Sequence, residues 1–109
     1  MYSLCDQTVT VYRLEAGQVH RQVLEGCWLQ TTEEVEQDTA GQRQQRKFLL
    51  IVPGRQVLPG DRVMAGEGPQ VEADHWHRFS PALVPALVQV SWVKPFYWQG
   101  TLSHTEAGN

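Results

Sequence analysis

The stretch Phe48-Leu49-Leu50-Ile51-Val52-Pro53-Gly54, with Leu58-Pro59-Gly60-Asp61-Arg62-Val63 close behind it, decides the fold class. Five apolar residues in a row leave no polar face. The pattern predicts a central strand covered on both sides, stopped by Pro53-Gly54. Leu58 to Asp61 has Pro and Gly at the central positions of a type II turn. Arg62-Val63-Met64-Ala65-Gly66 then reads as a short strand.

The same grammar extends in both directions. Valine is the commonest residue with 13 copies against a single isoleucine, and valine, threonine and aromatics favour pleated, half-buried surfaces. Gly and Pro recur so often between residues 41 and 100 that no long helix fits there. Thr8-Val9-Thr10-Val11-Tyr12-Arg13 alternates, with Val9 and Val11 on one face. Glu15-Ala16-Gly17-Gln18 is a turn. A strand from Val19 to Trp28 follows, with Val19, Arg21 and Val23 facing one way, and Gly26 marks a bulge. Leu87 to Val93 and Phe96 to Leu102 read as two more strands separated by Lys94-Pro95. The expectation is a mainly β domain: a small antiparallel β-barrel or sandwich of about five to seven strands. Its core should draw on Val9, Val11, Val23, Trp28, Leu50, Val52, Val63, Val90, Trp92 and Leu102.

Residues 31–47 are polar. A helix there would have Val35 as its single apolar anchor, which buries too little. A long hairpin turning near Thr39-Ala40-Gly41 instead sets Glu36 opposite Arg43 and Glu33 opposite Arg46, each pair contributing about 0.2–1 kcal/mol. The hairpin, or a loop in its place, is expected to protrude and to meet a partner. Residues 66–87 read as irregular, with a turn of helix at Pro81 to Val84, and residues 103–109 as a flexible tail.

The chain has 109 residues, enough for one domain that buries roughly 60–68% of its unfolded surface. Its composition, 41% apolar and 19% charged, is that of a globule rather than a disordered chain. A net charge of −3 argues against nucleic acid as a partner. No apolar run approaches the ~20 residues of a membrane span. The opening residues lack the basic and apolar regions of a signal peptide, so Cys5 and Cys27 are expected to stay thiols, with Cys27 a small buried hydrophobe.

Chemistry-bearing constellations are sparse. On a strand, His75 and His77 would point to one side and share a metal with Glu72, but a closed zinc site needs about four ligands, and His20 and His104 lie far off in sequence. No glycine motif cradles a phosphate, and no nucleophile stands in a G-x-S-x-G setting. The expectation is no catalytic residue, no cofactor and no metal. Phe96, Tyr97 and Trp98 are three consecutive rings on one strand, so they must face both sides, and one side calls for a neighbour or a partner. With Glu33, Glu36, Arg43 and Arg46 they form the candidate partner interface.

The layout resembles the small minor structural proteins encoded in the head–tail region of tailed-phage and prophage genomes. The carriers are the Thr8-Val9-Thr10-Val11-Tyr12 strand, the apolar strand ending Val52-Pro53-Gly54, Leu58-Pro59-Gly60-Asp61-Arg62-Val63 with Gly66 after it, Val88-Gln89-Val90-Ser91, and the close from Gly100 to His104. The resemblance implies a non-enzymatic virion component for head completion or head–tail connection, a β-barrel assembled in a homo-oligomeric ring. Its partners would be portal, connector or tail subunits, and it would reside in the virion or, before assembly, in the bacterial host cytoplasm. The other class that fits the residues is a small OB- or SH3-like barrel module binding a peptide or nucleic acid.

Overall fold

The computed structural model describes residues 6–38, 41–54 and 57–109, and for residues 33–38 and 41–45 the backbone alone. Seven strands follow in order: β1 Gln7–Glu15, β2 Gln18–Asp38, β3 Gly41–Pro53, β4 Arg62–Ala65, β5 Leu87–Gln89, β6 Trp92–Trp98 and β7 Thr101–Gly108. They pair antiparallel in one curled, half-barrel sheet ordered β5-β4-β1-β2-β3-β7-β6. The expected mainly β class is correct. The outermost strands β5 and β6 are successive parts of one stretch of chain. Val90 exchanges backbone hydrogen bonds with Gly60 and Asp61 on the β4 side, and Ser91 N–H donates to Gly108 on the β7 side. The sheet therefore curls until its two ends meet at Val90 and Ser91.

The interior of the curl is lined by Val9, Val11, Leu24, Cys27, Phe48, Leu50, Val52, Val57, Val63, Val88, Val90 and Ala107. A bulge in β2 sets which of its residues reach it. Between Gln7↔Cys27 and Val9↔Leu24 the register gains a residue on β2, where Gly26 adopts φ 71°. This is the bulge expected at Gly26, and it turns both Leu24 and Cys27 inward although they are three apart. Cys27 is a free, buried thiol; Cys5 lies outside the described residues.

The outer face of β1 is covered as well. Tyr12, Phe79 and Leu87 form a second cluster with Val19, Met64, Val71, Trp76 and Val84, closed by residues 66–86 folding back over the sheet. The Thr10 hydroxyl donates to Gly66 O and accepts from Gly68 N–H, and the Tyr12 hydroxyl donates to Pro69 O at 2.8 Å. The doubly covered strand is thus β1, not the apolar run of β3, whose Leu49 and Ile51 are half-buried.

Other expectations need correcting. Val23 and Trp92 are exposed, and Trp28 and Leu102 are half-buried. Val23 lies on the outer face because it pairs with Thr10, while the inner position falls to Leu24 opposite Val9. Residues 103–109 are not a tail: β7 lies between β3 and β6, and His104, Thr105, Ala107 and Gly108 are buried. Lys94 and Pro95 do not end a strand but lie within β6. The Leu58 to Asp61 turn is as expected, with Gly60 at φ 93° and Asp61 N–H donating to Leu58 O.

Candidate functional site

The two segments singled out as a partner interface lie at opposite ends of the sheet. Along β3 and β7 the register runs from Leu49↔Gly108 to Pro53↔His104. The β2/β3 ribbon leaves beyond the Gly108 end, and the β6–β7 turn lies beyond the His104 end.

The ribbon follows from where its neighbours stop. β1 pairs with β2 no further than Cys27, and β7 pairs with β3 only from Leu49 onward. An amide side chain finishes each ladder: Gln7 Oε1 accepts from Leu29 N–H, while Asn109 accepts from Phe48 N–H and donates to Arg46 O. Among the described residues, β2 and β3 pair only with each other beyond these caps, in unbroken register to Asp38↔Gly41. Glu33 stands opposite Arg46 and Glu36 opposite Arg43, the register expected from the charges. The side chains of Glu33, Glu36 and Arg43, and the turn residues Thr39 and Ala40, lie outside what is described.

At the other end, Trp98 pairs with Thr101 across a two-residue turn, with φ 51° at Gln99 and 80° at Gly100. Positive φ at both positions is the type I′ geometry that matches the twist of a tight hairpin. Phe96 stacks on the buried His104 ring at 4.5 Å between centroids, and the Lys94 ammonium lies over the Phe96 ring at 5.3 Å from its centroid. Ser103 is the extra residue between Phe96↔His104 and Tyr97↔Leu102. Tyr97 and Trp98 are 62% and 72% exposed, leaving two large rings at the tip. Of the three consecutive rings, then, only Phe96 finds cover among the described residues. Pro95 sits mid-strand on the sheet's outer edge. An edge strand is where a proline is tolerated, and a proline blunts such an edge as a template for a further strand. The rings, rather than the backbone edge, are what this end offers.

The condition under which His75 and His77 would share a metal, a strand, is not met. Residues Ala73–Arg78 form a 3-10 helix rather than a strand, so alternation does not apply. Residues three apart eclipse in such a helix. Glu72, Asp74 and His75 come together, with ligand atoms within 4.8 Å of one another, and His77 is outside the group. All three are exposed, one short of a structural zinc set.

Arginines missed by the sequence reading hold the covering segment. Arg62 donates to Trp76 O at 2.6 Å and to Phe79 O at 2.5 Å, with its guanidinium 3.9 Å from the centre of the Trp76 ring. Burial lowers its pKa from the usual arginine value. Arg21 donates to Gly68 O. Arg13 grips the buried Asp61 with two 2.8 Å bonds, and that contact raises the Arg13 pKa. The signal for these was a basic residue at an otherwise apolar strand position. Two surface depressions, lined by Val11, Arg13, Glu15, His20 and Gln22 and by Gln30, Thr32, Lys47, Phe48 and Leu49, measure about 170 and 260 Å³. Both fall below the ~300–1,000 Å³ of small-molecule sites.

No family model, no curated protein and no solved structure matches this chain. Among the described residues, no helix is long and apolar enough to cross a membrane.

Proposed function

We propose that this chain is a non-enzymatic structural subunit of a phage or prophage virion, acting in head–tail connection or head completion by protein–protein assembly. The observation that carries an assembly role is the exposed pair Tyr97 and Trp98 at the tip of the β6–β7 hairpin. Aromatic side chains exposed together on a rigid turn are the residue types that anchor protein interfaces. The layout resemblance supplies the virion context. The partners are then portal, connector or tail subunits, and the protein resides in the virion or in the host cytoplasm before assembly.

Co-expression with the proteins of adjacent reading frames tests this. Wild-type protein is expected to co-purify with a portal- or tail-type partner. Tyr97→Asp should abolish capture at an unchanged melting temperature, because the ring it removes is exposed. Unimpaired capture of Tyr97→Asp refutes the role of the tip.

The second reading is a small barrel module for single-stranded nucleic acid, since bases stack on exposed rings with a cation nearby, here Lys94. Tight, specific binding of an oligonucleotide by the wild type, lost in Tyr97→Asp, would favour that reading over the virion one.

A further inference from the structure

Alternation along β6 builds an aromatic row on one face of the sheet. Val93 packs against the interior cluster, so its alternate neighbours Trp92, Lys94, Phe96 and Trp98 belong to the outer face. Two of the rings are backed from beneath. Gly108 stands opposite Trp92, and the Trp92 ring fills the space that a Gly108 side chain would take. Phe96 lies within 11° of parallel to the buried His104 ring. Toward solvent the row stays open, with Trp92 42% and Trp98 72% exposed. The strand runs from Trp92 to Trp98, which spans about 20 Å at roughly 3.3 Å per residue.

We propose that this row binds a neutral, extended glycan, a chain of β-linked hexopyranoses with equatorial linkages, lying along β6. The proposal goes beyond the virion reading and does not rest on it. Charge selects the class of polymer. Lys94 is the one charged residue of β6, and it stands opposite Glu106 on β7, so the row is close to neutral on a chain of net charge −3. A single-stranded nucleic acid needs several cations along its phosphates, and β6 supplies one that already faces a carboxylate. Pro95 argues against an extended peptide, because strand addition draws its affinity from a backbone ladder that a proline interrupts. The shape of the row selects the linkage. A pyranose with equatorial substituents turns C–H bonds toward both of its faces, and such faces bury apolar area against aromatic rings. Equatorial β-linkages keep the chain straight, as a row on a single strand requires. The sugar hydroxyls, at the ring edges, remain free to meet Lys94, Glu106 and water.

Calorimetric titration of the full chain with cellohexaose is the test, with cellobiose, maltohexaose and oligothymidylate as comparisons. Cellohexaose should bind with a Kd below roughly 1 mM. Cellobiose should bind at least roughly tenfold more weakly, because a disaccharide cannot engage Trp92 and Trp98 together. Maltohexaose, whose α-linkages curve the chain, should also bind more weakly. Trp98→Ala should weaken cellohexaose roughly tenfold at an unchanged melting temperature, since the ring it removes is mostly exposed. Lys94→Gln should change the affinity little. The four tryptophan indole N–H resonances locate the site without a variant: those of Trp92 and Trp98 should shift on titration, and those of Trp28 and Trp76 should not.

A cellohexaose Kd above roughly 1 mM overturns the proposal. So does equal affinity for cellobiose or maltohexaose, or binding that Trp98→Ala retains in full, or shifts confined to Trp28 and Trp76. Tighter binding of oligothymidylate, lost in Lys94→Gln, overturns it in favour of nucleic acid. Tyr97→Asp separates the glycan row from the virion reading, because by alternation Tyr97 belongs to the opposite face of β6. A Tyr97→Asp protein that binds cellohexaose but captures no virion partner supports both. Cellohexaose binding by a wild type that never captures a virion protein leaves the row standing and the virion reading refuted. Capture without cellohexaose binding does the reverse.

Discussion

The polar ribbon and the aromatic hairpin are both antiparallel pairs projecting from one sheet, yet different forces hold them. In the ribbon, Val35 is the one valine, leucine, isoleucine or aromatic between residues 31 and 47, so what is described of it is a backbone ladder with almost no apolar residue to bury. The hairpin is seated on the core: Phe96 stacks on buried His104, and the neighbouring Ala107 belongs to the interior cluster. Regular backbone pairing therefore does not report on stability. One element is strand by local pairing, the other by coupling to the fold.

The sharpest way to break this contrast is hydrogen exchange. Amides from Gln37 to Gln45 should exchange orders of magnitude faster than those of β1, because opening the ribbon exposes almost no apolar surface. Protection equal to that of β1 in the monomer would erase the distinction. Deleting Glu36 to Gln42 should correspondingly leave the melting temperature unchanged.

Gly108→Ala probes the other side. A Cβ there would come within 2.6 Å of the Trp92 ring and 2.9 Å of the Phe48 carbonyl oxygen. Forcing that space should cost about 1–3 kcal/mol, read from urea unfolding. A neutral result would show β6 to be as loosely attached as the ribbon.

Tyr12 gives a reference point away from both hairpins. Tyr12→Phe leaves Pro69 O without its donor, at an expected cost of about 1 kcal/mol. Burial raises the Tyr12 pKa above 10.0, with Arg21 drawing it partly back. A raised folded-state value means that its contribution is intact below pH 10.0 and lost as pH climbs toward the folded pKa. The wild type should lose stability above pH 10.0 more steeply than Tyr12→Phe; parallel pH curves would contradict this. The smallest effect belongs to the hairpin turn. Gln99 holds φ 51° without being glycine, and Gln99→Asn supplies the Asn-Gly pair that type I′ turns prefer. It should stabilise by roughly 0.5 kcal/mol, a fraction of the 1–2 kcal/mol left-handed penalty, with a melting temperature as the check.

What the sequence made legible was local. The Leu58 to Asp61 turn, the Gly26 bulge and the Glu33–Arg46 and Glu36–Arg43 register each depend on residues near one another or on a charge pattern with one solution. What it hid was long-range. The second cover over β1 depends on residues 66–86 folding back, and the roles of Thr10, Arg21 and Arg62 follow only from their distant carbonyl partners. β7 was missed because Ser103-His104-Thr105-Glu106 carries no apolar alternation; it is a strand because β3 and β6 flank it on both sides. The tip rings were visible from Phe96, Tyr97 and Trp98, but which of them is covered depended on His104.

Val90 and Ser91, where the ends of the sheet meet, have a consequence for how the molecule comes apart. The chain from Leu87 to Trp98 is the outer strand of both halves, bonded to β4 before the joint and to β7 after it. Neither half can peel away without dragging on the other's ladder. The barrel body should unfold in a single cooperative step, and a chain cut between Val90 and Ser91 should lose that cooperativity even if both pieces remain associated.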